Sequence, residues 1–235
     1  VKTALITVQN DLYKPIGEIT LPLMTRYCER RGYHFRCGQY HTNPSDLPTY
    51  GDRGKVELFN RFYLQGYDYV MFLDLDVVIM NSDMPVQTML GFRPFLWTYD
   101  HNGPLSGFWI AKCEPQVYMT MNAIKNGAPA AGKISVTEDV GPPHGVNLRL
   151  EPHGASDQMM MRSLMNIPPF GEVLGEHNCL PGGQVGHTYP REVMKLPKEF
   201  PNINDYYEGA FCVTFPGVPL QERIELCRQW AERAV

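Results

Sequence analysis

The strongest constraint on the fold is the stretch from Tyr67 to Asn81, which reads YDYVMFLDLDVVIMN. Tyr69 to Leu73 form an unbroken apolar and aromatic run, the composition of a strand buried on both faces. Asp74 and Asp76 close that run, and Val77 to Met80 resumes it. In extended backbone, residues two apart share a face, so the two carboxylates are expected on one side with Leu75 turned into the core. Neighbouring carboxylates repel, and buried charge needs a partner. A divalent cation with a phosphate beyond it is the simplest such partner. The plainer alternative is a strand end where both Asp residues are solvated or cap a turn.

With 235 residues the chain is long enough for one large α/β domain, 1–235, and a sizeable core. A net charge of −4 excludes a basic field, so nothing signals nucleic-acid or membrane-surface binding. No run reaches transmembrane length. The six cysteines contain no CxxC pair, and several sit in apolar contexts. Free buried thiols in a reducing, cytoplasmic compartment are therefore expected rather than a disulfide framework or a zinc site. The sequence begins at Val1 without Met, which also fits a soluble domain excised from a longer chain.

Taken in order, Val1 to Val8 reads as a buried strand followed by polar Gln9, Asn10 and Asp11, then Tyr13. Ligands of open α/β sheets sit beyond the carboxyl ends of strands, so this turn, with Thr7, Gln9, Asn10 and Tyr13, is a candidate contact for a nucleotide base or ribose, an ordinary strand-to-helix loop being the alternative. A helix is expected over Ile16–Arg31, with Pro22 arguing for a kink or a later start. A strand over Tyr33–Gln39, a loop over His41–Asp52 and a helix over Arg53–Leu64 follow, with Lys55 early in that helix. Ser82–Leu90 suggests a helix capped by Ser82 or Asp83. Pro94–Thr98 and Gly107–Lys112 read as strands around a polar turn, Tyr99–Gly107, and Glu114–Asn126 as a helix. Gly127–Gly154 has little periodicity and reads as a long lid or substrate-binding loop, or otherwise as a disordered insertion. Ala155–Met165 reads as a helix with Ser156 as N-cap. Strand-like fragments come at Glu172–Leu174 and Gln184–Thr188, a last strand at Gly209–Phe215, and an amphipathic helix at Pro219–Ala234.

The helix carrying Lys55, the LDLD block, NGPLSGFWIAK (Asn102 to Lys112), SDQMMM (Ser156 to Met161) and EGAFCVTFPG (Glu208 to Gly217) follow one another in a telling order. That order resembles the GT-A glycosyltransferases. It is most similar to the retaining galactosyl-, glucosyl- and xylosyltransferases that include glycogenin-like enzymes and the fungal and plant α-galactosyl/xylosyltransferases. The resemblance implies a Rossmann-like α/β fold: a mixed, mostly parallel central sheet flanked by helices, with a loop-rich C-terminal half. It implies a nucleotide-binding half over 1–112 and an acceptor-binding half over 113–235. By the same resemblance Asp74 and Asp76 hold Mn²⁺ or Mg²⁺, and Asp74 contacts the donor, a nucleotide sugar with UDP favoured. Lys55 faces that donor, Ser106 and Gly107 line the sugar, with Asn102 displaced from the family's Asn position, and Asp157 and Gln158 are the catalytic pair beside the reacting carbon. VTFPG matches a family segment whose His is the third metal ligand, and here Thr214 stands in that place. Hydroxyl is a poorer Mn²⁺ ligand than imidazole. Either His187 or another histidine substitutes, or the metal is held more weakly, or the site has decayed.

The implied reaction is metal-dependent transfer of a hexose or pentose to an acceptor hydroxyl, on a glycan, a lipid-linked molecule or another acceptor. Two alternatives stand beside it. A haloacid-dehalogenase-like phosphatase would use Asp74 as nucleophile and Asp76 as acid/base, although its motif normally lies on the first strand. A non-catalytic nucleotide-sugar-binding relative would explain Thr214.

Overall fold

The computed structural model describes residues 1–40, 49–100, 103–126, 134–139, 146–150, 157–178, 185–187, 209–215 and 218–234. Five strands make the large sheet: β1 (Thr3–Asn10), β2 (His34–Tyr40), β3 (Tyr69–Leu73), β5 (Phe95–Asp100) and β6 (Gly103–Lys112), in the order β2-β1-β3-β6-β5. β1 pairs in parallel with both β2 and β3, whereas β6 runs antiparallel to β3 and to β5. Four strands thus point one way and β6 is the reversed member.

Alternation along these strands shows both faces covered. Ala4, Ile6, Val70, Phe72, Phe95, Trp97, Trp109 and Ala111 face one core together with α2 (Thr49–Leu64), α4 (Pro115–Asn126), α5 (Asp157–Leu164) and α6 (Gly171–Leu174). Leu5, Met71, Leu73, Leu96, Phe108 and Ile110 face a second core with α1 (Lys14–Arg31) and α3 (Val86–Leu90). Two-sided burial explains why the central strand reads as a continuous apolar run rather than an alternating one. Trp109 is the hub of the first core: it stacks on Phe72 at 5.3 Å and Phe95 at 5.8 Å, and meets Phe59 edge-on.

A second sheet joins β4 (Val78–Ile79), β9 (Val185–His187) and β10 (Cys212–Thr214) in the order β4-β10-β9. It packs under α1 and the last helix, α7 (Leu220–Ala231), through Leu75, Val78, Val213, Phe215, Ile224 and Cys227. β7 (Ile134–Asp139) and β8 (Val146–Leu150) form an antiparallel pair.

Several expectations need correction. α1 starts at Lys14, with Pro15 in its first turn, and runs through Pro22. It ends at Gly32, whose φ of 67° gives the left-handed cap that a side chain would disfavour. α2 starts at Thr49 rather than Arg53. α3 is only Val86–Leu90, preceded by Pro85, because Ser82 and Asp83 bond Arg30 and Arg31 instead of capping a helix. β5 and β6 extend to Asp100 and back to Gly103, so most of the expected polar turn is paired strand. Gly127–Gly154 contains β7 and β8 rather than being loop throughout. Glu172–Leu174 belongs to a helix, not a strand. Asn102, Ser156, His144 and His153 lie outside the described residues. Among the described residues no helix is long and apolar enough to cross a membrane.

Trp109→Ala removes the shared ring of the first core. It is expected to destabilise the fold by about 3–5 kcal/mol, read as a lower urea midpoint at unchanged slope.

Candidate functional site

The site forms where β1 and β3 end and the reversed strand β6 begins. Antiparallel pairing sets Leu73 against Phe108, which brings Gly107 beside Asp74. The Asp74 N–H donates to the Gly107 carbonyl at 2.7 Å. The Asp74 carboxylate folds over the same glycine: a Cβ at position 107 would lie 2.5 Å from Asp74 Oδ2 and 3.1 Å from its Cγ. Only glycine leaves room for this close approach.

The expectation that Asp74 and Asp76 sit on a strand is not met. β3 ends at Leu73, and the Val77 N–H returns to the Asp74 carbonyl at 3.1 Å, so Asp74-Leu75-Asp76-Val77 is a turn. Leu75 does point into the core, at 5% exposure. Thr20 of α1 fastens the turn from below, its hydroxyl donating to the Leu75 carbonyl at 2.6 Å. Sequence reasoning missed this residue.

Each carboxylate meets a cation. Lys55 of α2 is 4% exposed, with Nζ 3.8 Å from Asp74 Oδ1, 3.4 Å from the Ser106 carbonyl and 4.7 Å from the Phe72 ring centre. Lys55, Asp74, Ser106 and Gly107 are therefore one cluster, as the sequence suggested. Asp76 instead meets Arg223 of α7, whose Nη1 donates to Oδ2 at 2.9 Å. Arg223 Nε and Nη2 both donate to the Val218 carbonyl, at 3.1 and 2.6 Å, and its guanidinium lies 6.0 Å from the Tyr13 ring centre. Arg223 was not singled out in the sequence. One signal was available: a cation in the first turns of a helix opposes the helix dipole, so it usually answers to something else. Burial and the neighbouring Asp74 push the Asp76 carboxyl up to about 6, with Arg223 pulling the other way.

On the β1 side, Thr7 and Gln9 share the strand face toward α1. Neither Thr7 Oγ1 nor Gln9 Oε1 has a hydrogen-bond partner among the described residues. Gln9 Oε1 rests over Gly17, where a Cβ would come within 2.5 Å. Thr7 is fully enclosed beneath, while Gln9 is partly exposed. Asn10 Oδ1 is already engaged, accepting the Tyr13 N–H at 3.0 Å to cap a short 3-10 turn over Asp11–Tyr13. Asp157 and Gln158 open α5, which packs against β6, the strand that carries Ser106 and Gly107. His187 is the in-register neighbour of Thr214. Thr214 is buried, one residue on from Val213, which pairs with Val78 just after the Asp74–Asp76 turn. His187 and Thr214 are thereby brought to one place in the second sheet.

Among the described residues no three His, Cys, Asp or Glu side chains are grouped to hold a metal ion. Two carboxylates on one turn nevertheless fit Mn²⁺ or Mg²⁺, hard cations often bound by one or two carboxylates with substrate phosphates and water filling the remainder.

No protein-family model matches the chain, and no curated protein matches it. Solved structures share its fold over nearly its whole length. A glycosyltransferase involved in glycosylation of the major capsid of PBCV-1 aligns over 97% of this chain and 100% of its own, with a TM-score of 0.61 at 11% identity. The galactosyltransferase LgtC, in complex with donor and acceptor sugar analogues, aligns over 96% of this chain and 95% of its own, with a TM-score of 0.52 at 10% identity. The fold is of the GT-A type that the sequence pointed to.

Gly107→Ala is expected to expel the Asp74 carboxylate, a short side chain that can rotate away, so ligand affinity falls more than tenfold while the melting temperature changes little. Calorimetric titration and circular dichroism read the two effects separately. Asp76 supplies a second outcome. Its carboxyl sits near 6 in the folded state, against about 3.9 in an unfolded chain. The native state therefore holds more protons between those values, and this residue's contribution is full below about pH 4 and lost as pH rises through about 6. In EDTA, the melting temperature of wild type relative to Asp76→Asn is expected to fall as pH rises from 4 to 7.

Proposed function

We propose that the protein is a nucleotide-sugar glycosyltransferase that moves a hexose or pentose to an acceptor hydroxyl, with UDP-sugar the favoured donor. The observation that carries this reading is the Lys55–Asp74–Gly107 cluster beside Asp76, at the carboxyl ends of parallel strands in a fold shared with glycosyltransferases. In such sheets ligands bind at the carboxyl edge.

Residues 1–112 take the nucleotide. Gln9 offers a buried acceptor to an N–H of the base or an O–H of the ribose, and the Asn10 amide and Tyr13 ring border the same edge above Thr7. Asp74 and Asp76 would hold Mn²⁺ or Mg²⁺, with the Thr214–His187 neighbourhood as the place for any further ligand. When bound, that ion supplies Lewis-acid neutralisation of the leaving diphosphate. Lys55, fixed by burial and by the Phe72 ring, keeps a positive charge at the diphosphate without reorganisation. Ser106 and Gly107 line the sugar, where the bare Cα of Gly107 permits close approach. Asp157 and Gln158, which open α5 beside β6, are the proposed catalytic pair for the reacting carbon. The acceptor hydroxyl of a glycan, lipid-linked or other molecule enters from the 113–235 half. Its oxygen bonds the anomeric carbon as the carbon–phosphate-oxygen bond breaks. The hydroxyl proton passes to the departing phosphate oxygen on the same face, which retains configuration.

Isothermal titration of UDP and of GDP, each with Mn²⁺ and with EDTA, tests the reading. UDP is expected to bind in Mn²⁺, with at least tenfold loss in EDTA and in Asp76→Ala. Absence of binding by either nucleotide to the folded protein would overturn it.

A further inference from the structure

Asp76, one of the two carboxylates proposed to hold the cation, is already bonded to Arg223. We propose that Arg223 is an internal counter-ion that occupies Asp76 until the donor diphosphate draws it away, so that cation and nucleotide load together. This rests on the glycosyltransferase reading and concerns the same site.

The geometry separates the two cationic side chains at the turn. Lys55 is walled in, 4% exposed and held between Asp74, the Ser106 carbonyl and the Phe72 ring. Arg223 stands on α7 with its side chain 18% exposed, against 15% for Asp76. Two of its nitrogens, Nε and Nη2, share the Val218 carbonyl, while Nη1 makes the bond to Asp76. Rotation about the Val218 oxygen therefore releases the carboxylate while the guanidinium stays tethered. Its neighbourhood with Tyr13 puts it on the nucleotide side of the turn.

Charge gives the coupling. Among the described residues at this turn, the Asp74 and Asp76 carboxylates, the Lys55 ammonium and the Arg223 guanidinium sum to zero. A divalent cation alone leaves a partly buried site with two surplus positive charges, and it must also compete with Arg223 for Asp76. A nucleotide-sugar diphosphate alone, doubly negative, leaves two surplus negative charges. Both together restore neutrality, with Arg223 transferred from a carboxylate to a phosphate oxygen, an exchange for which a guanidinium fork is well shaped. Charge imbalance is costly where water is scarce. Each ligand therefore raises the affinity for the other, and by linkage the two enhancements are equal.

The test measures Mn²⁺ binding by the electron paramagnetic resonance signal of free ion, with and without saturating UDP, on wild type, Arg223→Gln and Arg223→Lys, each checked by thermal melting. In wild type, Mn²⁺ alone is expected to bind weakly and UDP to tighten it at least tenfold. In Arg223→Gln, Mn²⁺ alone is expected to bind at least tenfold tighter than to wild type, with the UDP enhancement below threefold. Arg223→Lys keeps a cation without the fork and is expected to fall between; it decides the matter if the Gln variant does not fold. Unchanged or weaker Mn²⁺ affinity in the variants, or an intact UDP enhancement, overturns the role of Arg223 and leaves the glycosyltransferase reading standing. Failure of wild type to bind Mn²⁺ with or without UDP overturns both.

Discussion

The arrangement at the sheet's carboxyl edge depends on the reversed seating of β6 against β3. Had β6 run parallel to its neighbours, its small residues Ser106 and Gly107 would lie at the opposite edge from Asp74. Reversal sets the Gly107 carbonyl 2.7 Å from the Asp74 N–H and clears the space into which the carboxylate folds. It also presents the Ser106 carbonyl to Lys55. The same pairing delivers Trp109 to the hub of the first aromatic core, between Phe72 and Phe95. One strand thus carries both a principal packing element and the floor of the site, which ties the position of Asp74 to the packing of the first aromatic core.

Much of this was legible because local chemistry declared it. Two-sided burial makes Tyr69–Leu73 uniformly apolar, and the position of Asp74 at the end of that run is a sequence-local fact. Lys55, Ser106 and Gly107 were grouped with Asp74 through the order of the motifs, and the structure brings them together. What was misread was backbone shape around Leu75. An alternating pattern of acidic and apolar residues has the period of a strand, yet here the burial of Leu75 and the Thr20 hydroxyl on its carbonyl hold a turn. A two-residue period over three positions cannot tell those conformations apart. Glu172–Leu174, expected as a strand fragment, is helix, and the source of the difference is similar: the four residues of Gly171–Leu174 are too few for a helical period to appear.

Arg223 was invisible for a different reason. It is 147 residues from its carboxylate partner, on an amphipathic helix where basic residues ordinarily face water. Its one mark in a local window is a cation placed against the dipole at the start of a helix, which does not say what that cation meets. Thr20 is similar: 55 residues from Leu75, it reads as a helix threonine that could bond its own turn, which it also does through the Ile16 carbonyl. Long-range polar contacts of this kind are set by the packed fold, and the sequence carries them only as residues slightly out of keeping with their element.

The position of α7 bears on the order in which the site can be assembled. All five strands of the large sheet lie between Thr3 and Lys112, ahead of α7 in the chain. Asp76 follows the central strand directly, whereas its guanidinium partner comes 147 residues later. The acidic turn is therefore synthesised together with its scaffold and well before Arg223. Docking of α7 is the event that brings a guanidinium to Asp76, which makes the pairing a late addition to a turn already laid down.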